Sequence, residues 1–293
     1  MKLRDIYARD GLTFSIEFFP PKSDEGVDKL FAEIEVLKEL EPDFCSVTYG
    51  AGGSTRDKTV DLVIAIKRET GLETMCHVSI VDQPKAEVRR VLRTLRENGI
   101  ENLIALAGDP PGGAVEADWE AHPEGFANSR ELVAEARKDG HFSVAVAGFP
   151  EIHPRAESRE ADLGYLKAKV DAGADVIITQ LFFDNEDYFR YVEDARRFGI
   201  GVPIVPGMLP IKSASQVRRF TKMCAAKIPQ RLDALLDKVA DDNEAAVQLG
   251  IEYTSEQCRG LLDYGVPGFH FYSLNQSRSV KAIFDDLSLG ALT

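Results

Sequence analysis

The stretch SREADLGYLKAKVDAGADVIITQ, residues 158–180, decides the fold class. Its first part, 158–172, is typical of an amphipathic helix, and Gly173 follows at the point where a left-handed helix cap is needed. The β-rich run 175–180 comes next and is short enough to be a strand buried on both faces. A helix that leads through a glycine into a short buried strand is the repeating unit of a parallel α/β fold.

The same unit recurs along almost the whole chain. Eight short runs rich in valine, isoleucine, phenylalanine and leucine predict strands at 13–18, 44–49, 74–80, 102–107, 142–147, 175–180, 204–206 and 268–272. Amphipathic helical segments separate them, among them 24–40, 57–69, 85–98, 158–172 and 185–198. Eight alternating strands and helices predict an α/β fold of the (β/α)₈ TIM barrel type. An open doubly wound sheet is the alternative, but it requires a glycine-rich turn after the first strand, where this chain has EFFPPK, residues 17–22.

The region between the last two predicted strands holds more chain than one helix needs. Three helical segments, 213–224, 229–239 and 243–263, predict extra helices between strands 7 and 8. There is no linker, low-complexity tract or further repeat, so we expect a single (β/α)₈ catalytic domain over 1–293.

Charge and composition exclude several classes of protein. The 293 residues include 35 lysines and arginines against 48 acidic residues, a net charge of −13, which argues against nucleic-acid binding. No run of eighteen apolar residues and no N-terminal signal core occur, so we expect a cytoplasmic protein without a membrane span. The four cysteines lie far apart without a CxxC pair, which predicts buried thiols and no metal site.

Polar residues fall where a barrel carries its chemistry, at the carboxyl ends of the strands. Glu17 stands out because phenylalanines flank it, so burial is expected to raise its pKa and make it suitable as a general acid. The alternative is a structural carboxylate paired with a lysine or arginine. Asp109, in the turn-forming context before PPGG, and Gln180, at the end of an apolar strand, are two further candidates.

Two histidines and an aromatic run remain ambiguous at this level. His77 and His153 are either site residues or satisfied core histidines. The run 269–272, Phe-His-Phe-Tyr, is interpreted as core except for Tyr272, and Asn275 follows it at the same rim.

Eight short motifs in order along the chain resemble the methylenetetrahydrofolate reductase family. They are EFFPPK at 17–22, SVTYG at 46–50, LAGDP at 106–110, PEIHP at 150–154, DAGAD at 171–175, ITQLFFD at 178–184, PGMLPI at 206–211 and HFYSLN at 270–275. The length is similar to that of the bacterial members, which consist of the catalytic barrel alone.

The resemblance implies an FAD enzyme that reduces 5,10-methylenetetrahydrofolate to 5-methyltetrahydrofolate with NADH or NADPH in a ping-pong sequence. It implies a catalytic set in which Glu17 protonates the folate, Asp109 favours its cationic iminium form and Gln180 contacts folate or nicotinamide. Further substrate-side positions are Gln216, Phe220, Tyr272 and Leu274. The implied FAD-binding positions are Thr48, Tyr49, Ala51, His77, Leu106, Ala107, Gly108, Asp109, Asn128, Ser129, Phe149, His153, Ala156, Asp162, Lys169 and Ile178. In a protein of net charge −13, cations such as Lys169, or His153 if protonated, have to offset the repulsion of phosphates and folate.

The chain departs from the family pattern in four places. Ala107 replaces an arginine, Asn128 and Phe149 each replace a tyrosine on the FAD side, and Gln276 replaces an arginine after the Leu-Asn pair, where Arg278 is a candidate substitute. These departures keep two alternatives open: a folate reductase with weak or no FAD, and a partner-dependent folate-binding subunit. The sequence does not choose between NADH and NADPH, and by the resemblance we expect a homo-oligomer.

Overall fold

The computed structural model describes residues 1–49, 56–109 and 120–291. Within them lie nine parallel strands: β1 (Thr13–Phe18), β2 (Phe44–Val47), β3 (Thr74–Ser79), β4 (Asn102–Leu106), β5 (Ser143–Gly148), β6 (Val176–Thr179), β7 (Ile204–Val205), β8 (Gly207–Met208) and β9 (Gly268–Tyr272). The helices are α1 (Leu3–Ile6), α2 (Asp24–Lys38), α3 (Arg56–Thr70), α4 (Lys85–Glu97), α5 (Ser129–Arg137), α6 (Arg159–Asp171), α7 (Asn185–Arg197), α8 (Ala214–Cys224), α9 (Gln230–Lys238), α10 (Asn243–Tyr264) and α11 (Arg278–Asp286), and a short 3₁₀ helix, Leu289–Ala291, follows.

The strands form a barrel that closes through a divided seventh strand. The order is β7-β6-β5-β4-β3-β2-β1-β9-β8; β7 pairs with β6 and β8 pairs with β9. Pro206 separates β7 from β8 because it has no N–H to donate to the ladder, and its carbonyl accepts from the N–H of His270 at 3.1 Å. The predicted strand 204–206 is therefore corrected to two short strands that run on to Met208. The predicted (β/α)₈ barrel is confirmed.

The predicted helices are confirmed with shifts of one or two residues at most of their ends. Side-chain caps define several starts, for example Ser213 Oγ, which accepts from the N–H of Gln216 at 3.1 Å before α8. Gly173 has φ +112° after α6, the left-handed conformation that the sequence predicted there. The three extra helices between strands 7 and 8 are α8, α9 and α10. Among the described residues no helix is both long and apolar enough to span a bilayer.

The amino end of the barrel is sealed by apolar side chains and by α1, which the sequence analysis did not anticipate. Leu3 and Ile6 are buried against inward-facing strand residues: Phe44, Met75, Ile104, Ala145, Val176, Ile178 and Val205. The backbone of α1 is tied to the barrel because the N–H of Leu3 donates to Asn102 Oδ1 at 2.8 Å. A second tie runs from the N–H of Arg4 to Ser143 Oγ at 3.1 Å. The interior at the amino end is therefore filled by apolar side chains, and the cavity described below lies at the opposite end.

Candidate functional site

A cavity of about 280 Å³ opens at the carboxyl ends of the strands. Fourteen of the residues singled out from the sequence line it: Glu17, Tyr49, His77, Leu106, Ala107, Gly108, Asp109, Ser129, Phe149, His153, Lys169, Ile178, Gln180 and Tyr272. These residues come from seven strands or the loops after them and from two helices, so the barrel brings together positions more than 250 residues apart in sequence. A larger groove of about 560 Å³ between α2 and α3 contains none of the predicted site residues.

Glu17 lies in this cavity on β1 and is only 6% exposed. Its Oε2 accepts a hydrogen bond from Ser46 Oγ at 3.3 Å and lies 3.4 Å from His270 Nε2. His77 Nε2 is closer, at 3.0 Å, but it lacks hydrogen-bond geometry and has no other partner among the described residues. The carboxylate is therefore enclosed by two imidazole rings and a hydroxyl, and it has no lysine or arginine within ion-pair distance in the described part of the chain.

The pKa of Glu17 moves opposite to the expectation from sequence. Burial alone raises it, but the neighbouring imidazoles of His77 and His270 outweigh burial and lower the pKa of Glu17 from 4.5 to about 2. The flanking phenylalanines signalled burial correctly. The sequence argument failed on direction because the two histidines that determine it come from β3 and β9.

His270 is held between Ser15 and Glu17. Ser15 Oγ lies 3.2 Å from the carbonyl of Phe269 and 2.8 Å from His270 Nδ1. The contact at Nδ1 positions the ring so that its other nitrogen, Nε2, lies beside Glu17 Oε2 and Ser46 Oγ, 3.4 Å from each.

His270 and Ser46 contact Glu17, but sequence reasoning did not single them out as candidate site residues. His270 was missed because the run 269–272 was interpreted as core. The alternation of strands contains the signal. Ser15 pairs in register with His270, and Glu17 pairs with Ser46 on one side and Tyr272 on the other. Residues two apart on a strand face the same side, so a polar residue two positions before an inward Tyr272 also faces inward.

The other two residues of the predicted catalytic set also lie at the mouth. Asp109 is exposed and lies three residues after the end of β4. Gln180 Oε1 accepts from the N–H of Leu181 at 2.8 Å, which leaves the amide N–H₂ of Gln180 for the cavity. The Tyr272 hydroxyl instead donates to the carbonyl of Thr179 at 2.5 Å, so this residue offers its ring rather than its hydroxyl.

Asn275 has a structural role at the same rim. Its side chain accepts from the N–H and donates to the carbonyl of Phe19, both at 2.8 Å. It thereby ties the loop after β9 to the end of β1.

Three basic residues also line the cavity: His153, Arg155 and Lys169. Burial lowers the pKa of Lys169 to about 8, partly offset by Asp162, and its Nζ donates to the carbonyl of Ala147 at 3.1 Å. Burial, with the charges of Arg155 and Lys169, lowers the pKa of His153 to about 4. His153 is thus neutral near pH 7, and the expected cationic role belongs to Lys169.

The floor between these two groups suits a flat ring. Ile104, Ala105, Ala107, Ala147 and Ile178 are apolar and mostly small. Gly108 has φ +88°, and a Cβ there would collide with Ser79 Oγ and Val81. An apolar floor beside a buried ammonium fits the isoalloxazine and diphosphate of FAD, so the residues present are compatible with that cofactor.

Four of the predicted FAD positions act around the cavity rather than in its wall. Asn128 caps α5 through Oδ1, which accepts from the N–H of Glu131 at 3.2 Å. Asp162 Oδ2 accepts from the N–H of His153 at 3.1 Å, and the N–H of Ala156 donates to the carbonyl of His153 at 2.8 Å. The carbonyl of Thr48 accepts from Thr59 Oγ1 at 2.9 Å. Ala51 lies outside the described residues.

The predicted substrate positions Gln216 and Phe220 lie on α8, and Leu274 follows β9; none of the three lines the 280 Å³ cavity. α8 nevertheless reaches the mouth with its last turn. Burial, followed by the charges of Asp109 and Glu17, raises the pKa of Cys224 to about 12. Because Gln216, Phe220 and Cys224 are spaced by four residues, they share one face of α8.

Comparisons with known proteins identify the family of the chain. The family model for methylenetetrahydrofolate reductase matches residues 2–288. The chain is 39% identical over 98% of its length to methylenetetrahydrofolate reductase (NADH) 1 of Arabidopsis thaliana, of which it spans 50%. It is 38% identical over 95% of its length to 5,10-methylenetetrahydrofolate reductase of Escherichia coli, of which it spans 91%. The chain thus spans about half the length of the plant relatives and nine tenths of the bacterial one.

Solved structures support the fold. A Clostridium thermocellum protein, described as binding two copies of 5-methyl-5,6,7,8-tetrahydrofolic acid, has a TM-score of 0.67 at 17% identity and covers 98% of this chain and 96% of its own. The dihydropteroate synthase of Xanthomonas albilineans has a TM-score of 0.51 at 14% identity, with 96% of this chain and 94% of its own covered. With the family match over nearly the whole sequence, the chain belongs to the methylenetetrahydrofolate reductase family.

Proposed function

We propose that this protein reduces 5,10-methylenetetrahydrofolate to 5-methyltetrahydrofolate, with FAD as cofactor and NADH or NADPH as the electron donor. The observation that carries the proposal is the buried Glu17–His270–Ser15 arrangement at the mouth of a barrel of this family. When bound, FAD would take hydride from the nicotinamide and give it to the methylene carbon of the folate in a separate step.

The residues around Glu17 supply the proton that ring opening of the folate requires. Glu17 is ionised at rest, in agreement with its lowered pKa of about 2. A proton taken up from solvent at the mouth reaches Glu17 Oε2 and passes to the folate amine, while Ser15 holds the ring of His270 beside the carboxylate. Asp109 then faces the cationic iminium form of the substrate, and its negative charge stabilises that form.

The residues of the FAD side have binding roles. Lys169 compensates the charge of the diphosphate, and the apolar floor accommodates the ring. Gln180 offers its amide N–H₂ to whichever of folate or nicotinamide occupies the mouth.

The variant Glu17→Gln tests the acid role. Glutamine keeps the shape but cannot deliver a proton, so folate reduction is expected to fall by about 10²–10⁴ while reduction of bound flavin by NADH stays within about tenfold. Stopped-flow measurement of the two half-reactions on one preparation separates them, with Glu160→Gln, an exposed carboxylate on α6, as the matched control. Folate reduction at the wild-type rate would remove Glu17 from the mechanism.

Two alternative functions follow from Ala107, Asn128 and Phe149, whose side chains lack the arginine and tyrosine groups of the family pattern. The first is a folate reductase with weak or no FAD, and the second is a folate-binding subunit that depends on a partner for electrons. The absorbance spectrum of the purified chain, before and after anaerobic addition of NADH, distinguishes them. The proposal predicts a flavin spectrum that NADH bleaches. A colourless protein that reduces methylenetetrahydrofolate supports the first alternative, and one that binds folate without reducing it supports the second.

A further inference from the structure

Lys212 is a half-buried ammonium at the edge of the barrel mouth that the proposed chemistry does not use. Its Nζ donates one hydrogen bond, to the carbonyl of Leu274 at 3.2 Å. Among the described residues no carboxylate lies within 4.0 Å of it; the charge of Glu33 acts on it from farther away, while Glu33 Oε2 accepts from the N–H of Ser277 at 2.6 Å. Burial lowers the pKa of Lys212 to about 8. A cation that is partly desolvated without an ion pair is costly unless a ligand completes it.

The backbone that carries Lys212 is rigid. The N–H of Lys212 donates to Gln216 Oε1 at 2.7 Å, and Ser213 caps the helix that follows. On the other side α10 approaches Ile211 so closely that a Cβ on Gly250 would collide with its carbonyl. The backbone of Lys212 is therefore held by contacts with both α8 and α10.

A second polar side chain contacts the backbone of Lys212. Gln216 is only 8% exposed, and its Nε2 has no hydrogen-bond partner among the described residues. The orientation of this amide is fixed because Oε1 is already used by Lys212 N–H. The buried amide therefore holds the backbone of Lys212, while the ammonium, whose one side-chain hydrogen bond goes to a neutral carbonyl, suits a ligand that supplies acceptor oxygens only, such as a carboxylate.

α8 joins this pair of donors to the mouth. The helix has 11 residues, about 16 Å of rise. Its first turn lies beside Lys212, and its last turn lies within reach of the charges of Glu17 and Asp109. A ligand with its reacting end at Glu17 could extend along α8 to Lys212. That span is roughly the length of an extended folate, which ends in glutamate carboxylates.

We propose that Lys212 binds a carboxylate of the glutamate tail of the folate and so determines affinity for tail-bearing substrates. This inference rests on the proposed function. Where the family pattern has an arginine, this chain has the uncharged Gln276. The inference makes Lys212, and not Arg278, the residue that supplies the positive charge in its place. Arg278 is an exposed residue already engaged in an ion pair with Glu244.

The test compares two ligands on three variants by equilibrium dialysis: 5-methyltetrahydrofolate, and 5-methyltetrahydropteroate, which lacks the glutamate. In Lys212→Met the aliphatic stem remains, and the Kd for 5-methyltetrahydrofolate is expected to rise about tenfold while that for the pteroate stays within about twofold. Lys212→Arg keeps a charge and is expected to restore most of the affinity. Arg278→Met, the matched control, is expected to change neither Kd.

Kinetic measurements provide a second readout. Lys212→Met is expected to raise the KM for methylenetetrahydrofolate with kcat and the KM for NADH unchanged, because the contact lies far from the reacting atoms. Equal losses for both ligands would make Lys212 a structural residue and overturn the inference, as would no loss for either, or a loss confined to Arg278→Met. A wild-type protein that binds neither folate would instead overturn the proposed function, and this inference with it.

Discussion

The two ends of the barrel interior differ completely, although the same strands build both. On β2 the inward residues are Phe44 and then Ser46; on β3 they are Met75 and then His77. A step of two residues along a strand, about 7 Å, leads from the sealed apolar layer to the layer that surrounds Glu17. The amino end excludes water, and α1 covers it. The strand residues that face inward at the amino end are apolar, whereas ionisable side chains line the cavity at the carboxyl end.

The comparison of the two ends shows how the barrel accommodates a buried, ionised carboxylate. Glu17 is almost as buried as the apolar layer beneath it, yet its pKa falls because imidazoles and a hydroxyl replace the lost water. The rigid lower layer holds the strands in register, so these partners stay in place. We therefore expect substitutions in the lower layer to change stability without changing chemistry, and those in the upper layer to do the reverse.

The largest effect is expected from Leu3→Ala at the sealed end. Removal of this fully buried side chain leaves a cavity between α1 and the strands, and the free energy of unfolding should fall by about 3 kcal/mol. Urea denaturation measures this loss. Both half-reactions of the folded protein should remain at wild-type rates.

The control for Leu3→Ala is Tyr165→Ala on α6, where the side chain is 66% exposed. Its unfolding free energy should change by less than about 0.5 kcal/mol. If folded Leu3→Ala reduced folate much more slowly than the wild type, the separation of stability from chemistry between the two ends would be contradicted.

A smaller effect is expected from Lys169→Met at the cationic side of the cavity. The variant should bind FAD about 30-fold more weakly at pH 7, since one charge-assisted contact is lost. Because the lysine is charged below its pKa of about 8 and neutral above it, wild-type affinity for FAD should decline as the pH rises through 8. Flavin titrations from pH 6 to about 9.5 would show this decline in the wild type and not in the variant. The same decline in both proteins would contradict the role of Lys169.

The smallest effect concerns Ala107, which lines the cavity where the family pattern has an arginine. Ala107→Arg should tighten FAD binding by about tenfold through one charge-assisted contact. Flavin retention on dilution measures the change in FAD affinity. Lys222→Arg on α8 is the control, because it introduces an arginine without changing the net charge. Unchanged or weaker retention would mean that the pocket is rebuilt around alanine.

Much of the fold could be predicted because its signals are local. Strands 13–18 and 268–272 were predicted at their observed bounds from side-chain periodicity, and glycines such as Gly173 marked the helix ends. α1 was not predicted because a helix of four residues is too short to show the hydrophobic periodicity of a helix. The division of the seventh strand escaped because only its pairing with β6 and β9 reveals it.

The candidate site was predictable in position but not in its electrostatics. Strand ends located Glu17 and Gln180 at one rim. The charge state of Glu17, however, depends on His270, which is 253 residues away in the chain and was interpreted as core. Pairwise geometry of that kind requires the register between β1 and β9, which no local pattern in the sequence specifies.

The central claim is that Glu17 rests ionised because the two facing histidines outweigh the effect of its burial. Titration of the Glu17 carboxyl carbon by ¹³C NMR tests it most directly, with the resonance assigned by its loss in Glu17→Gln. A titration midpoint near pH 2, below the ordinary 4.5, is the predicted result. A midpoint above 4.5 would show that burial prevails over the histidines and would contradict the account.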